Sequence, residues 1–317
     1  MVGAAWGTPG GRRRRRRKKK KEEEEEGSPL LEQDGEMAGE QRLRETRAEL
    51  QSSEFWDSSR RIILKSLHRH LVAVAAAAKE TSGPAAGEAF VLALENLQLT
   101  PPPAEPTLDS SSQLGADPDG QAICLLCVCY GLGNFSSCVK ARYQLAFLIL
   151  LLEALKIPKK RCYVFDPVFS ALEIEVLNNL GVNVLLENEE GKWPTQEPTI
   201  FYMIHCGKAL YNNLLWRNWS VEALSRMVII GNSFRGIEER VLSKTFQKDY
   251  SYIAKVLMAS EEEALPSYPQ YMDIFNDTAI HCFPWGKLRG LPQETWTFQE
   301  EPVYPEDDQL EIIRKKQ

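Results

Sequence analysis

The chain turns strongly apolar at residues 123–130, ICLLCVCY, and this stretch runs directly into GLGNFS at residues 131–136. A continuous apolar run of this length predicts a strand that is buried on both faces of a parallel sheet. Residues 141–155 are apolar almost all round, which predicts a helix packed against that sheet. Strand, glycine-containing turn and buried helix together indicate the first unit of an α/β fold.

Short strands and helices continue to alternate toward the C-terminus. We predict further strands at 161–165, 182–186, 200–204 and 227–230, with helices at 171–180, 208–216 and 220–226 between them. A helix at 244–259 and a last strand near 279–283 follow. Strands separated by helical segments predict a Rossmann-like, doubly wound and mostly parallel sheet with helices on both faces.

Composition divides the chain into five segments: a disordered charged tail at 1–50, a helical accessory segment at 51–99, a linker at 100–120, the main domain at 121–285 and a polar C-terminal tail at 286–317. The first segment holds a basic tract, Arg12–Lys21, followed by Glu22–Glu26, and such charge blocks are typical of disorder. Apolar side chains recur at helical spacing over 54–79, which predicts one amphipathic helix there. Prolines and serines mark the linker. We expect the C-terminal tail to be loosely held.

Net charge, apolar run length and cysteine usage limit the class of protein. The 38 basic and 44 acidic residues give a net charge of −6, so we expect no direct DNA binding from the main domain. The longest apolar run, 145–152, is far shorter than the ~20 residues that span a bilayer, so we expect no membrane segment. Seven cysteines, mostly within apolar runs, fit a reducing compartment. We therefore expect a cytoplasmic protein, and the basic tract Arg12–Lys21 leaves the nucleus open as a second location.

Metal ligation is not expected from the clustered histidines and cysteines. His68 and His70 are two positions apart on a predicted helix, where they do not share a face, and we expect both at the surface. Cys127 and Cys129 share one face of the predicted strand while Cys124 points to the other. No metal site is predicted on these geometric grounds.

Polar and glycine residues follow the predicted strands at their carboxyl ends, where ligands bind in an open parallel sheet. The glycines would let the backbone turn sharply and approach a ligand. We predict a cofactor-binding site formed by Gly131, Gly133, Ser136, Asp166, His205, Asn232 and Ser233.

The sequence does not decide which ligand this site would bind. The pattern G-x-G-x-x-S departs from the dinucleotide fingerprint at Ser136, and Asp166 lies further along than the ~20 residues of that fingerprint, so a nucleotide-type ligand competes with a purely structural turn. An S-adenosylmethionine-dependent methyltransferase would usually carry an acidic residue where Cys129 and Tyr130 stand. Asp166 could bond a ribose hydroxyl or simply form a turn before Pro167.

Histidine chemistry offers a third alternative. His205 could act as a general base, and either His205 or His281 could ligate a haem iron in a sensor protein. A hydrogen-bonded structural histidine is the competing interpretation of His205. Cys206 would point away from His205 along a strand, so a Cys–His nucleophile pair is not expected. No catalytic residue is assigned.

Several motifs in order resemble one known family. They are Tyr130–Gly133, Gln144–Ala146, Phe165–Phe169, His205-Cys206, Asn218-Trp219 and Gly231–Phe234. Together they are similar to the sensitivity-to-red-light-reduced (SRR) domain, over about residues 120–235, with an extension of the resemblance to 285 left open. The resemblance implies a regulatory protein, because plant members act in light signalling and circadian timing and animal relatives are associated with clock-gene expression and haem synthesis. It also implies action through regulatory protein partners, and it implies no established reaction.

Overall fold

The computed structural model describes residues 29–82, 125–304 and 312. The basic tract and the predicted linker lie outside these residues. Residues 29–50, which composition predicted to be disordered, instead belong to a helix, α1 (Pro29–Gln51). The chain divides into two units, Met1–Arg42 and Leu43–Gln317, and the second holds the sheet. From Leu43 onward α1 contributes buried leucines to the core. The glutamate, arginine and alanine residues of α1 favour a helix.

Seven strands form one sheet within the described part of the chain: β1 (Leu126–Tyr130), β2 (Cys162–Phe165), β3 (Asn183–Val184), β4 (Thr199–Met203), β5 (Met227–Asn232), β6 (Glu261–Ala264) and β7 (Thr278–Cys282). Their order is β3-β2-β1-β4-β5-β7-β6. The first five are mutually parallel, while β7 pairs antiparallel with β5 and β6. The predicted mostly parallel, doubly wound sheet is confirmed.

Strand β6 was not predicted. Its sequence, Glu261-Glu262-Glu263-Ala264, has neither β-branched nor aromatic residues, which are the usual signals of a strand. The glutamates are accommodated by basic side chains: Glu261 lies 3.1 Å from Lys287, and both Glu261 and Glu263 lie 3.6 Å from Arg69. Tertiary contacts thus place a charged segment at the edge of the sheet.

Helices surround the sheet. After α1 they are α2 (Glu54–Ser82), α3 (Val139–Ala154), α4 (Ala171–Leu180), α5 (Lys208–Arg217), α6 (Val221–Ser225), α7 (Phe234–Arg240), α8 (Ser243–Asp249), α9 (Ser251–Val256), α10 (Met272–Phe275), α11 (Trp285–Arg289) and α12 (Gln293–Thr297). Helix α4 matches its predicted bounds, begins with a capping box between Ser170 and Glu173, and ends at the left-handed Gly181. The single helix predicted at 244–259 is interrupted because Tyr250 leaves helical geometry.

Each face of the sheet has its own core. On β1, Cys127 and Cys129 face the core beneath α2, α3 and α4, while Val128 and Tyr130 face the core beneath α5 and α7. The two cysteines therefore share a face as predicted; Cys124 lies outside the described residues. Alternate residues of β4 and β5 divide in the same way. Both faces of the parallel strands are buried, as expected from their apolar composition.

Helix α2, predicted as part of an accessory segment, lies against the sheet core. Phe55 is 1% exposed and its ring lies 4.9 Å from the rings of Tyr271 and Phe275. The prediction that His70 lies at the surface is wrong, because its side chain is buried and its Nε2 bonds the carbonyl oxygen of Ser225 at 2.9 Å. His68, on a different face, is exposed as predicted.

The described residues beyond 285 pack on the face of the sheet opposite to α2. The indole of Trp219 donates to the carbonyl oxygen of Thr295 at 2.7 Å, and that of Trp216 donates to Gln299 at 3.3 Å. The ammonium of Lys255 lies 3.7 Å from the ring centre of Phe298. The expectation of a loosely held tail therefore does not fit residues up to 304. None of the helices in the described ranges combines the length and apolar character needed to cross a membrane.

Candidate functional site

A cavity opens at the carboxyl ends of β1, β2 and β4, beside the point between β1 and β4 where the strand order reverses. Its volume is about 230 Å³. We call it the strand-end cavity, and it is lined by Tyr130, Gly131, Gly133, Phe165, Asp166, Pro167, Val168, Asn188, Gly191, His205, Cys206, Gly207, Leu210 and Ile312. Open α/β sheets bind ligands at this position.

The loop after β1 brings its backbone close to the turn after β4. Gly131 has φ +73°, and a Cβ at this position would lie 2.5 Å from the Sγ of Cys206. Gly133 also has a positive φ, +71°. Gly131 is therefore required both for the left-handed backbone and for the close approach.

Asp166 ties the glycine loop to the end of β2. Its Oδ2 accepts a hydrogen bond from the Gly133 N–H at 2.7 Å, and its Oδ1 accepts one from the Val168 N–H at 2.9 Å. Burial raises the pKa of Asp166, although both backbone hydrogen bonds act in the opposite direction. Asp166 is thus a structural clamp that also lines the cavity.

A second carboxylate holds the same loop from α4. Glu173 is fully buried, and its Oε1 accepts from the Ser136 N–H at 2.9 Å while its Oε2 accepts from the Ser170 N–H at 3.0 Å. The side chain of Asn134 accepts from the Ser137 N–H at 3.0 Å. The N–H groups of Gly133, Ser136 and Ser137 in the glycine loop are therefore already bonded to side chains of this chain.

The turn after β4 presents His205 at the cavity. His205 has φ +59°, a left-handed conformation in which histidine, asparagine and aspartate are enriched among non-glycine residues. Its ring Nε2 lies 2.9 Å from the carbonyl oxygen of Ile274, and its backbone N–H donates to the Oδ1 of Asn232 at 2.8 Å. The neighbouring thiol of Cys206 donates to the carbonyl oxygen of Tyr130 at 3.3 Å. Burial raises the pKa of Cys206, which keeps the thiol protonated.

Three of the sequence motifs, Tyr130–Gly133, Phe165–Phe169 and His205-Cys206, thus meet at one edge of the sheet. Comparison with known proteins assigns the chain to a family. The SRR1 domain matches residues 111–282. The chain belongs to the SRR1 domain family. An SRR1-like protein of Mus musculus is 48% identical over 227 residues, which cover 71% of this chain and 82% of the mouse protein.

More distant members also match. An SRR1-like protein of Drosophila melanogaster is 32% identical over 183 residues, 58% of this chain and 64% of the fly protein. Protein SENSITIVITY TO RED LIGHT REDUCED 1 of Arabidopsis thaliana is 35% identical over 167 residues, 52% of this chain and 61% of the plant protein. The chain thus spans less than two thirds of the fly and plant relatives. No solved structure matches the chain.

Within the SRR1 domain, the seven predicted site residues fall into two groups. Gly131, Gly133, Asp166 and His205 line the strand-end cavity. Ser136, Asn232 and Ser233 do not line it. Ser136 bonds Glu173 through its backbone, Asn232 supports the His205 turn, and Ser233 caps α7 by accepting from the Gly236 N–H at 2.8 Å.

Sequence reasoning missed several residues of the SRR1 site. Gly191, Leu210 and Ile312 line the cavity, but their positions carried no signal in the sequence. Tyr130 also lines it, and it was quoted only as part of the motif Tyr130–Gly133 and not as a site residue. Glu173 did carry one: it stands three residues after Ser170, which is the spacing of a capping box before a helix. The additional bond from Glu173 to the glycine loop depends on tertiary structure.

Among the described residues of the SRR1 domain, neither His205 nor His281 has the geometry that haem ligation requires. His281 is fully buried in β7, stacks on Phe234 at 4.0 Å, and has its Nε2 3.0 Å from the carbonyl oxygen of Asn232. Burial holds the pKa of His281 well below its usual value. At His205 the strand-end cavity is smaller than the roughly 300 to 1,000 Å³ typical of drug-sized ligands, and a haem macrocycle is larger than most of these. Among the described residues, no three His, Cys, Asp or Glu side chains are grouped to hold a metal ion.

Proposed function

We propose that this SRR1-domain protein is a regulator of circadian clock gene expression and of haem biosynthesis, and that it acts through protein partners. Family membership supports a regulatory role, because the plant relative is named for reduced sensitivity to red light. The clock and haem assignments follow the family resemblance. We place the protein in the cytoplasm, with access to the nucleus through the basic tract Arg12–Lys21, and we expect no direct DNA contact from the main domain.

One observation supports action by binding rather than by catalysis. The reactive side chains at the strand-end cavity each bond a backbone group of this chain: both Asp166 oxygens accept N–H groups, the His205 ring bonds a carbonyl oxygen, and the Cys206 thiol donates to another. A general base needs a free lone pair next to the proton that it removes, and a cysteine nucleophile needs a thiolate. The second condition is not met, because Cys206 donates to the carbonyl oxygen of Tyr130 and burial raises its pKa. The lone pairs that remain on Asp166 and His205 therefore have no activated cysteine nucleophile beside them.

The alternative function is an enzyme with a nucleotide-type cofactor, such as an S-adenosylmethionine-dependent methyltransferase. The position of the cavity at the strand-order reversal supports this alternative. The absence of a base–nucleophile pair among the described lining residues argues against it. A haem sensor that uses His205 or His281 is the weaker alternative, because both ring Nε2 atoms bond carbonyl oxygens.

Complementation tests the choice between binding and catalysis. In cells whose own gene is disrupted, we expect altered rhythms of clock-gene transcripts and an altered haem content, both restored by the intact protein. His205→Asn keeps a residue type that adopts positive φ, and Cys206→Ser keeps a donor to Tyr130. Because neither side chain performs chemistry in this proposal, we expect both variants to restore transcripts and haem as the intact protein does.

The outcome that contradicts the proposal is specific. Loss of rescue by either variant, with an unchanged melting temperature and unchanged ligand binding of the purified protein, would mean that the imidazole or the thiol takes part in a reaction. Unaltered clock transcripts and haem after disruption of the gene would contradict the regulatory role itself. Measuring the melting temperature first separates loss of chemistry from loss of folding.

A further inference from the structure

We infer that the strand-end cavity is a binding site for a nucleoside-type ligand that carries no phosphate. The inference concerns the chemical class of ligand and does not depend on the regulatory role proposed above. It rests on the charge of the lining, on the occupied N–H groups of the glycine loop, and on the size and aromatic character of the cavity.

The lining lacks the cations that phosphate requires. Among the described residues that line the cavity there is neither lysine nor arginine, and Asp166 contributes a buried carboxylate. Arg142 is close to the loop, but it donates to the carbonyl oxygen of Ser136, which does not line the cavity. A phosphate placed here would face Asp166 without a compensating cation, and burying an unpaired anion is costly.

The hydrogen bonds within the glycine loop also disfavour phosphate binding. In dinucleotide-binding loops, backbone N–H groups and the following helix N-terminus bind the phosphate oxygens. Here Asp166 accepts the Gly133 N–H and Glu173 accepts the Ser136 N–H, so two N–H groups of the loop are already bonded to carboxylates. A phosphate would have to displace one of these carboxylates and then remain beside it. A neutral ligand meets no such repulsion.

The remaining features favour a planar ligand with hydroxyl or amino donors. Two aromatic residues, Tyr130 and Phe165, line the cavity, and the hydroxyl of Tyr130 donates to Glu189 at 3.3 Å. Each carboxylate oxygen has a second lone pair, so Asp166 can accept from a ribose hydroxyl while it keeps its backbone bonds. A volume of about 230 Å³ suits one base with its sugar better than a dinucleotide.

Binding of nucleosides and their 5′-monophosphates to the full chain tests the inference. The probes are adenosine, guanosine, cytidine and uridine, each compared with its own monophosphate by calorimetry and by melting temperature. We expect one nucleoside to bind and to raise the melting temperature, with a Kd at least about tenfold below that of its monophosphate, the ratio that corresponds to about 1.4 kcal/mol. Equal or tighter binding of the monophosphate would overturn the inference, as would no binding of any nucleoside at millimolar concentration.

Two valine variants locate the binding. Val168 lines the cavity and is 44% exposed, so Val168→Trp should fill its mouth at little cost to folding. Val139, 53% exposed at the start of α3, lies outside the cavity and gives the matched control Val139→Trp. We expect nucleoside binding to be lost in the first variant only, and retention in Val168→Trp would overturn the inference. Failure of this test leaves the complementation test untouched, so the two proposals can fail separately.

Discussion

The side-chain oxygen of Asn232 accepts the backbone N–H of His205 at 2.8 Å, and this bond joins the end of β5 to the turn after β4. The amide nitrogen of the same Asn232 donates to the carbonyl oxygen of Cys206 at 3.2 Å. One side chain thus bonds the N–H of His205 and the carbonyl oxygen of Cys206, which are consecutive residues of the same turn. Asn232 was expected to bind a ligand, and its contacts are those of a residue that supports the site.

Replacing Asn232 with alanine should destabilise the domain. Asn232→Ala removes both hydrogen bonds to the turn, and we expect a loss of about 1 to 3 kcal/mol in the free energy of unfolding, measured by urea denaturation. Asn178→Ala, at an exposed position near the end of α4, is the control and should change the free energy of unfolding much less. Equal losses in the two variants would mean that the turn does not depend on Asn232.

Replacing Asp166 with asparagine should disturb the glycine loop. Both carboxylate oxygens accept backbone N–H groups, so the NH₂ group of an asparagine would face a donor and one bond would be lost. We expect Asp166→Asn to lower the free energy of unfolding by about 1 to 3 kcal/mol. Asp273→Asn, at an exposed position of α10, is the control for loss of charge alone. An unaffected Asp166→Asn variant would contradict the structural role of the clamp.

His70 should make stability depend on pH. Burial lowers the pKa of His70 from 6.5 to about 4, so between these values the unfolded chain binds a proton that the folded chain does not. Stability is therefore retained above pH 6.5 and is lost as the pH falls toward 4, by at most about 3 kcal/mol from this residue. His70→Gln can still donate to Ser225 but cannot titrate, and we expect a smaller loss of stability across this window.

The matched control for that experiment is His68→Gln, on the exposed face of the same helix. We expect His70→Gln to reduce the dependence of the unfolding free energy on pH more than His68→Gln does. His281, whose pKa burial also lowers, remains in all three proteins and should maintain part of the slope. Identical slopes for His70→Gln and His68→Gln would contradict the prediction.

Phe55 tests whether α2 belongs to the core or is an accessory segment. Its ring contacts those of Phe147, Tyr271 and Phe275, so Phe55→Ala should cost about 3 to 5 kcal/mol of unfolding free energy. Val72→Ala, at a position of the same helix that is 44% exposed, should cost far less. A small effect of Phe55→Ala on chemical denaturation would indicate that α2 is separable from the sheet.

The sequence was sufficient for the parallel part of the fold because each buried strand is a short apolar run followed by a turn signal. Helix ends were also predictable, since Gly181 ends α4 where the helical periodicity stops. The sequence was insufficient for β6, whose glutamates are held by Arg69 and Lys287 from distant elements. Helical periodicity also predicted the apolar face of α2, but it could not reveal which surface that face covers, and so His70 was assigned to the surface.

The same limit applies to the site. Strand ends of a parallel sheet meet at one edge, so the proximity of Gly133, Asp166 and His205 could be predicted from topology. The hydrogen-bond partners of these residues could not be predicted in the same way. Asp166, for example, bonds a backbone N–H, and a backbone group carries no signal in the sequence. The role of Glu173 likewise needs the distance between α4 and the loop, which spacing along the chain does not encode.

The acidic edge strand β6 has a consequence for the behaviour of the protein in concentrated solution. An edge strand offers unpaired backbone groups to any neighbour, and proteins restrain such edges with charge. A second copy that approached this edge would meet Glu261 and Glu263 together with their partners Arg69 and Lys287, and displacing these ion pairs opposes the extension of the sheet from one molecule to the next.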